Sequence, residues 1–391
     1  MTQDGRVFDW PLCSWIVVRG VQWGTAMGDR YPRVKGAAVQ AAPVFLDREA
    51  TVEKACGLIG EAARQGAEII AFPECFVPAF PHWFLFHTPY ASKHFTVELF
   101  KNAVEVPSPA VDRLCKAARD NHAYVVMGIN ERVAGTMGTL YNTMLFLGRD
   151  GEVLGRHRKI MPTFAERLVH ATGDASGLRV YPTAFGELGG LICGENTNPL
   201  AKFALFAQGE KIHVASWPAF PAGANQVNRE GAGLRTRAVA FEGKVFVLAA
   251  AGVFDGRMTE MLCDTEERRR LVASSGGNSA IVGPNGQYLA GPLAEGEGIL
   301  VAEMDLEQII EAKIVHDVIG HYNRPDLFTL TVDRRPRALA RFADPSAAAE
   351  DEAPADADLL RALLARLAEA RDEEIGRALR DLLQRVPTPE I

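Results

Sequence analysis

From residue 34 onward the apolar positions alternate between two periods. Strand-like runs occur over 34–40, 68–72, 123–128, 140–147, 152–158, 187–192, 211–216, 245–250, 280–282 and 298–303. Several intervening stretches repeat apolar residues every three to four positions, the spacing of a helix with one buried face. Val52, Ala55, Cys56, Ile59, Ala62 and Ala63 share such a face, while Glu53, Lys54, Glu61 and Arg64 lie elsewhere. Asp47 is placed to cap that helix and Gln65-Gly66 to end it. Further helices are predicted over 108–121, 199–207 and 225–242. The run 123–128 is almost wholly apolar, as in a strand covered on both faces. Arg149-Asp150-Gly151 folds 140–147 back on 152–158, and Pro284-Asn285-Gly286 separates 280–282 from 298–303. Hairpins mixed with helical crossovers predict an α/β sandwich of sheets flanked by helices.

The two ends depart from this rhythm. Residues 1–30 carry Trp10, Trp15 and Trp23 without a period, and Asp9 and Pro11 interrupt their apolar stretch. They are expected to form a poorly ordered extension and not a signal peptide, with Met27 as a candidate natural start. The organised domain is expected over 31–343. Residues 344–357, rich in Ala, Asp, Glu and Pro, read as an acidic linker. Over 358–391, Leu360, Leu363, Leu364, Leu367, Ile375, Leu379 and Leu382 mark an amphipathic helical tail. Its apolar face either packs on its own core or docks on a neighbouring subunit.

Composition narrows the function. The chain has 391 residues, 48% hydrophobic and 23% charged, which is ample for a full core. A net charge of -7 argues against nucleic acid or an anionic membrane as partner. No apolar run approaches the roughly 20 residues that span a bilayer. The six cysteines are scattered without a CxxC pair, which reads as reduced thiols in a cytoplasmic protein. The nine histidines form no HExxH or other ligand spacing, so no metal is expected, and no cofactor. GxSxG and GxGxxG are absent, and Gly243-Lys244 is followed by Val245, which is not a phosphate-binding loop.

Three residues at predicted strand ends carry chemistry. Cys193 closes the apolar run 187–192 and is followed by a Gly194-Glu195-Asn196 turn and a helix. A thiol at such an elbow sits near backbone N–H groups that favour a thiolate and later an oxyanion. Glu74 follows the strand 68–72, and Lys159 follows the strand 152–158. In layered α/β folds strand ends converge on the site. A carboxylate as general base and acid, a thiol as nucleophile and an ammonium as charge stabiliser suffice for acyl-type chemistry at a carbon–nitrogen bond. Taken singly, each has an ordinary reading as a solvated loop residue, a core cysteine or a surface basic run.

Together, Phe72-Pro73-Glu74, His157-Arg158-Lys159 with Pro162-Thr163, and Cys193-Gly194-Glu195-Asn196 resemble the three motifs of the nitrilase (carbon–nitrogen hydrolase) superfamily. The resemblance runs from about Tyr31 to Leu330. Phe80-Pro81-His82-Trp83, the run 208–218 and Gly320-His321-Tyr322-Asn323-Arg324-Pro325-Asp326 favour its nitrilase branch. The resemblance implies a four-layer αββα sandwich and homodimers that build larger or spiral oligomers, with His321-Tyr322 structural or interfacial. It implies hydrolysis of a small-molecule nitrile by water, through a thioimidate and a thioester on Cys193. Glu166 matches the family's second active-site glutamate, orienting Lys159 or the water; the competing reading pairs it with Arg167 or Arg158. Gly194, by its N–H, and Trp83, Asn196, Trp217 and Pro218 are the candidate substrate contacts. Many nitrilases have Trp after the cysteine. Gly194 here either serves a left-handed turn or leaves space beside the nucleophile. An amidase or carbamoylase with the same set, and a nitrilase releasing substantial amide, are the alternatives. The three intact motifs disfavour a non-catalytic assembly protein.

Overall fold

The computed structural model describes residues 28–220, 225–272, 276–337 and 340. Nearly all belong to one compact unit that ends at Pro336. The segment 1–27, the linker 344–357 and the tail 358–391 lie outside the described residues, and so do the expectations made for them.

Two six-stranded sheets form the centre. The first contains β1 (Arg33–Gln40), β2 (Ile69–Ala71), β3 (Tyr124–Arg132), β4 (Leu140–Leu147) and β5 (Val153–Arg158). The second contains β6 (Tyr181–Thr183), β7 (Gly186–Ile192), β8 (Glu210–Trp217), β9 (Phe246–Ala251), β10 (Ser279–Val282) and β11 (Tyr288–Leu293). The final strand, β12 (Gly298–Asp305), returns to the first sheet, giving the orders β12-β1-β2-β3-β4-β5 and β11-β10-β9-β8-β7-β6.

Alternation along the strands sorts side chains between layers. Tyr124 and Val126 point into the core between the sheets, with Met144, Leu188, Val214 and Leu248. Their neighbours Val125 and Met127 point outward, into a cluster with Val52, Ile59, Val111 and Leu114. Those last four belong to α1 (Arg48–Arg64), capped by the Asp47 carboxylate, and to α4 (Pro109–Asp120). Between these two helices the chain forms α2 (Trp83–Phe86) and α3 (Pro89–Asn102). The outer face of the second sheet is covered by α5 (Pro199–Phe206) and α6 (Asn225–Gly243). α7 (Gly256–Leu262), α8 (Glu266–Val272) and α9 (Glu307–Val315) complete the described helices. Helices on the outer faces of both sheets satisfy the expected layering.

Two local expectations are corrected. The turn at Pro284–Gly286 leads into β11, not directly into β12. β11 lies at a sheet edge and contains Gly291-Pro292, which breaks the strand pattern yet is tolerated where one side has no partner. β12 then pairs antiparallel with β1 along eight residues in the other sheet. The helix α3 was absent from the periodicity reading because only Ser92, Phe95 and Leu99 on it are buried. Thr88-Pro89, a cap followed by proline in the first turn, was its available signal.

Candidate active site

The two sheets deliver their strand ends to one place. Beyond β2, the Phe72 N–H still donates to Val126 O, and the Glu74 N–H crosses to Trp217 O at the end of β8. Lys159 leaves β5 with its N–H donating to Asn142 O on β4. Cys193 leaves β7 and opens a short 3-10 turn, Cys193–Thr197.

Gly128 on β3 makes room for this approach. A Cβ there would lie 2.1 Å from Pro73 O, 2.8 Å from Cys75 N and 3.0 Å from Glu74 Cα. Gly128→Ala is therefore expected to displace the Glu74 segment. It should destabilise the fold by about 1–3 kcal/mol and lower kcat more than it changes KM. A urea midpoint and steady-state constants check this; a variant matching the parent in both contradicts it.

Glu74, Lys159 and Glu166 form one buried cluster. Lys159 Nζ donates to Glu74 Oε1 and to Glu166 Oε2, both at 2.7 Å. Asn142 Nδ2 bridges the same carboxylates, at 2.7 Å from Glu74 Oε1 and from Glu166 Oε1. Glu166 also accepts from the Thr163 N–H at 2.9 Å and lies 3.1 Å from His170 Nδ1. His170 Nε2 meets Asn130 Oδ1 at 2.8 Å. Arg158 does not compete for Glu166, since it pairs with Glu131 at 3.0 Å. Glu74 Oε2 is the carboxylate oxygen left buried without a partner.

The environments push these groups apart. Burial raises Glu74 to about 7, with Glu166 adding to the rise and Lys159 opposing it. Burial alone would raise Glu166 too. The His170 hydrogen bond and the Lys159 charge outweigh it and hold Glu166 at about 2. Burial alone would lower Lys159, but the charges of Glu74, Cys193 and Glu166 raise it well above an ordinary lysine. The Cys193 thiol is pushed strongly up by burial and by Glu74, against Lys159 and a hydrogen bond from the Gly194 N–H. The elbow's pull toward a thiolate is opposed here: burial and the Glu74 charge favour the protonated thiol of the half-buried Cys193. Its proton must leave in the step that uses the sulfur.

The elbow itself is held by Glu195, which carries no separate role in the sequence reading, and by Asn196, an expected substrate contact. Cys193 has φ 49°, the left-handed region that costs a non-glycine residue of order 1–3 kcal/mol. Glu195 turns back under it. Its Oε2 accepts from the Ile192 N–H and lies 2.9 Å from His157 Nε2, while its Oε1 accepts from the Ile160 N–H at 2.7 Å. One carboxylate thus joins the cysteine elbow to the chain flanking Lys159. Asn196 Nδ2 donates to Leu191 O and Cys193 O, both at 3.1 Å, and its Oδ1 meets His213 Nε2 at 2.9 Å. His213 is itself held by Glu210 at 2.9 Å. Polar residues two and three positions after the elbow cysteine were the available signal for Glu195 and Asn196.

Beside Cys193 lies a cavity of about 330 Å³. Trp217, Pro218 and Gly194 line it with Phe80, Phe84, Phe164 and Phe220. Glu166 and Arg235 also reach it. Two expected substrate contacts are elsewhere. Asn196 is spent on the elbow, and Trp83 packs in a separate apolar cluster with Phe45 and Phe95. An aromatic after Phe80-Pro81-His82 suggested a pocket wall, but helix α2 turns the indole inward, where it is 1% exposed. Phe84, the next residue, faces the cavity. The left-handed conformation falls on Cys193, so Gly194 is not required by the backbone. A Cβ at Gly194 would meet only Thr163 Oγ1, at 3.1 Å, within 4 Å. The glycine therefore opens space in the cavity wall.

Comparison with known proteins adds independent findings. The carbon–nitrogen hydrolase family matches residues 35–314. An aliphatic nitrilase of Rhodococcus rhodochrous is 42% identical over 306 residues, covering 77% of this chain and 83% of that protein. A nitrilase of Bacillus sp. (strain OxB-1) is 40% identical over 307 residues, covering 78% and 89%. Among solved structures, Saccharomyces cerevisiae Nit3, a member of branch 10 of the nitrilase superfamily, shares the fold with a TM-score of 0.60 at 22% identity. That match covers 77% of this chain and 100% of Nit3.

Proposed function

The chain belongs to the carbon–nitrogen hydrolase family, and from that premise we infer a nitrilase that converts a small organic nitrile and two waters to a carboxylic acid and ammonia. The observation that carries the reading is the buried Glu74–Lys159–Glu166 cluster beside an elbow-held Cys193, in a chain about 40% identical to nitrilases.

Cys193 Sγ attacks the nitrile carbon as its proton passes to Glu74 Oε2, the oxygen without a partner. Glu74, near neutrality in its proton affinity, returns that proton to the nitrile nitrogen, giving a thioimidate. Water adds with Glu74 again as base. Ammonia leaves with a proton from Glu74, and a thioester remains. A second water adds, the thiol is expelled, and the acid departs. Lys159 and the Gly194 N–H stabilise the tetrahedral intermediates. Glu166 stays ionised and anchors the ammonium where Glu74 needs it. Expulsion of the thiol before ammonia would release amide. A nearly neutral Glu74 works against this by supplying a proton to the nitrogen.

Glu74 must be ionised to accept the thiol proton, and acid removes that form. The profile of log kcat/KM against pH is expected to rise with unit slope toward a plateau, with an apparent pKa near 7 belonging to the coupled cluster. A flat profile between pH about 5 and about 8 contradicts this.

Matched nitriles and amides, scored for ammonia and for acid, test the reading as a whole. Ammonia from amides only overturns it. A cytoplasmic location is part of the proposal, supported by scattered cysteines that are free wherever described. So is a homodimer that builds larger or spiral oligomers, supported by exposed Leu200, Leu234 and Phe241 on α5 and α6. Among the described residues, no helix is long and apolar enough to cross a membrane.

A further inference from the structure

The wall of the catalytic cavity carries one feature that nitrile hydrolysis does not use. Arg235 on α6 reaches the cavity, and its Nε donates to Thr197 Oγ1 at 2.7 Å. Thr197 closes the same 3-10 turn that begins at Cys193. The guanidinium is thus tied through its Nε to the nucleophile's own turn, and among the described residues its two terminal nitrogens meet no acceptor. Among the described residues no carboxylate forms an ion pair with Arg235, whereas Arg158 is paired with Glu131.

No other described residue lining the cavity supplies a positive charge. His82 is there, but burial lowers it to about 4, and its Nε2 lies 2.9 Å from the backbone oxygen of Ala219. The remaining wall is mostly aromatic: Phe80, Phe84, Phe164, Trp217 and Phe220. Glu166, the one acidic group among the described lining residues, is already neutralised by Lys159 and held by the Thr163 N–H. An arginine fork beside an apolar cavity, with no internal counter-ion, matches a ligand having an apolar body and a planar anion at its far end.

We propose that Arg235 selects nitriles bearing a carboxylate, so that the substrate class is an aryl or short-chain cyano acid whose carboxylate pairs with the guanidinium while its nitrile faces Cys193. This rests on the nitrilase reading and refines it. Gly194 contributes by leaving its stretch of the cavity wall without a side chain.

The test compares kcat/KM within matched pairs: cyanobenzoate against tolunitrile, and cyanobutanoate against pentanenitrile. The carboxylate member is expected to be preferred by roughly tenfold or more, the gain of a charge-assisted pair in a partly desolvated site. The preference should lie in KM and weaken as salt is added. Arg235→Gln should bring the ratio toward one by raising KM for the acid, and Arg235→Lys should restore part of it. Calorimetric binding of cyanobenzoate and tolunitrile to Cys193→Ala, with and without Arg235→Gln, reads the same selectivity without turnover. Absence of hydrolysis for every pair would overturn the nitrilase reading alone, and the binding ratio then decides the anion preference. Equal treatment of both members by the parent protein, or a ratio unchanged in Arg235→Gln, overturns the proposal.

Discussion

Cys193→Ala is expected to reduce ammonia release from a nitrile by roughly 10⁴-fold or more, with the folded state intact. Such a loss corresponds to about 5.5 kcal/mol of transition-state stabilisation, far beyond what a packing change near the site would cost. The substitution keeps the Cβ, so the left-handed elbow at φ 49° carries the same strain in both proteins. The contacts that hold the elbow are made by Glu195, Asn196 and backbone groups, none of which involves Sγ. Thermal midpoints of parent and variant should therefore lie close together while ammonia release collapses. Substantial turnover by the variant would remove Cys193 from the chemistry.

Lys159→Met is the second large effect, and it strikes stability as well as rate. Lys159 is 1% exposed and is the cation between two buried carboxylates. Methionine fills similar volume but leaves Glu74 and Glu166 facing each other without a counter-ion. Breaking a buried pair by removing one partner costs about 3–5 kcal/mol, because the desolvated charge is left behind. Asn142 still bridges the two acids, so the lower end of that range is expected. The sign of the pH effect follows. Lys159 lowers the pKa of Glu74, so its loss lets Glu74 rise further above about 7. Activity that survives, expected at roughly 10²–10³-fold below the parent, should need more alkaline pH. Denaturant midpoints and the pH–rate profile check both parts. A variant as stable as the parent, with an unmoved profile, contradicts the account.

The legible part of this protein lay where one residue type answers one need. Strands such as 123–128 and 245–250 announced themselves because burial on both faces demands nearly continuous apolar runs. The Cys193 elbow was visible because an apolar strand ends there in a Gly-Glu-Asn turn. β11 was hidden because an edge strand tolerates Gly291-Pro292 and exposed side chains. The pairing of β12 with β1 was hidden because sheet membership is a long-range fact, set by which edge is vacant. Trp83 and Asn196 show the same limit at the site. Sequence neighbourhood placed both near the chemistry, but direction is decided by the local backbone, which buries the indole under α3 and turns the amide toward Cys193 O. Asn142, His170 and Glu195 escaped notice because polar residues on strands and turns acquire meaning only from what they face.

The central claim is that the nitrile carbon becomes bonded to Cys193 during turnover. Rapid acid quench of the protein during nitrile hydrolysis, followed by intact mass and peptide mapping, measures this directly. The expected result is an increment equal to the substrate's acyl or imidoyl group, confined to the peptide that contains Cys193 and absent in Cys193→Ala. Steady formation of acid and ammonia with Cys193 unmodified at every quench time, and turnover persisting in Cys193→Ala, would contradict it.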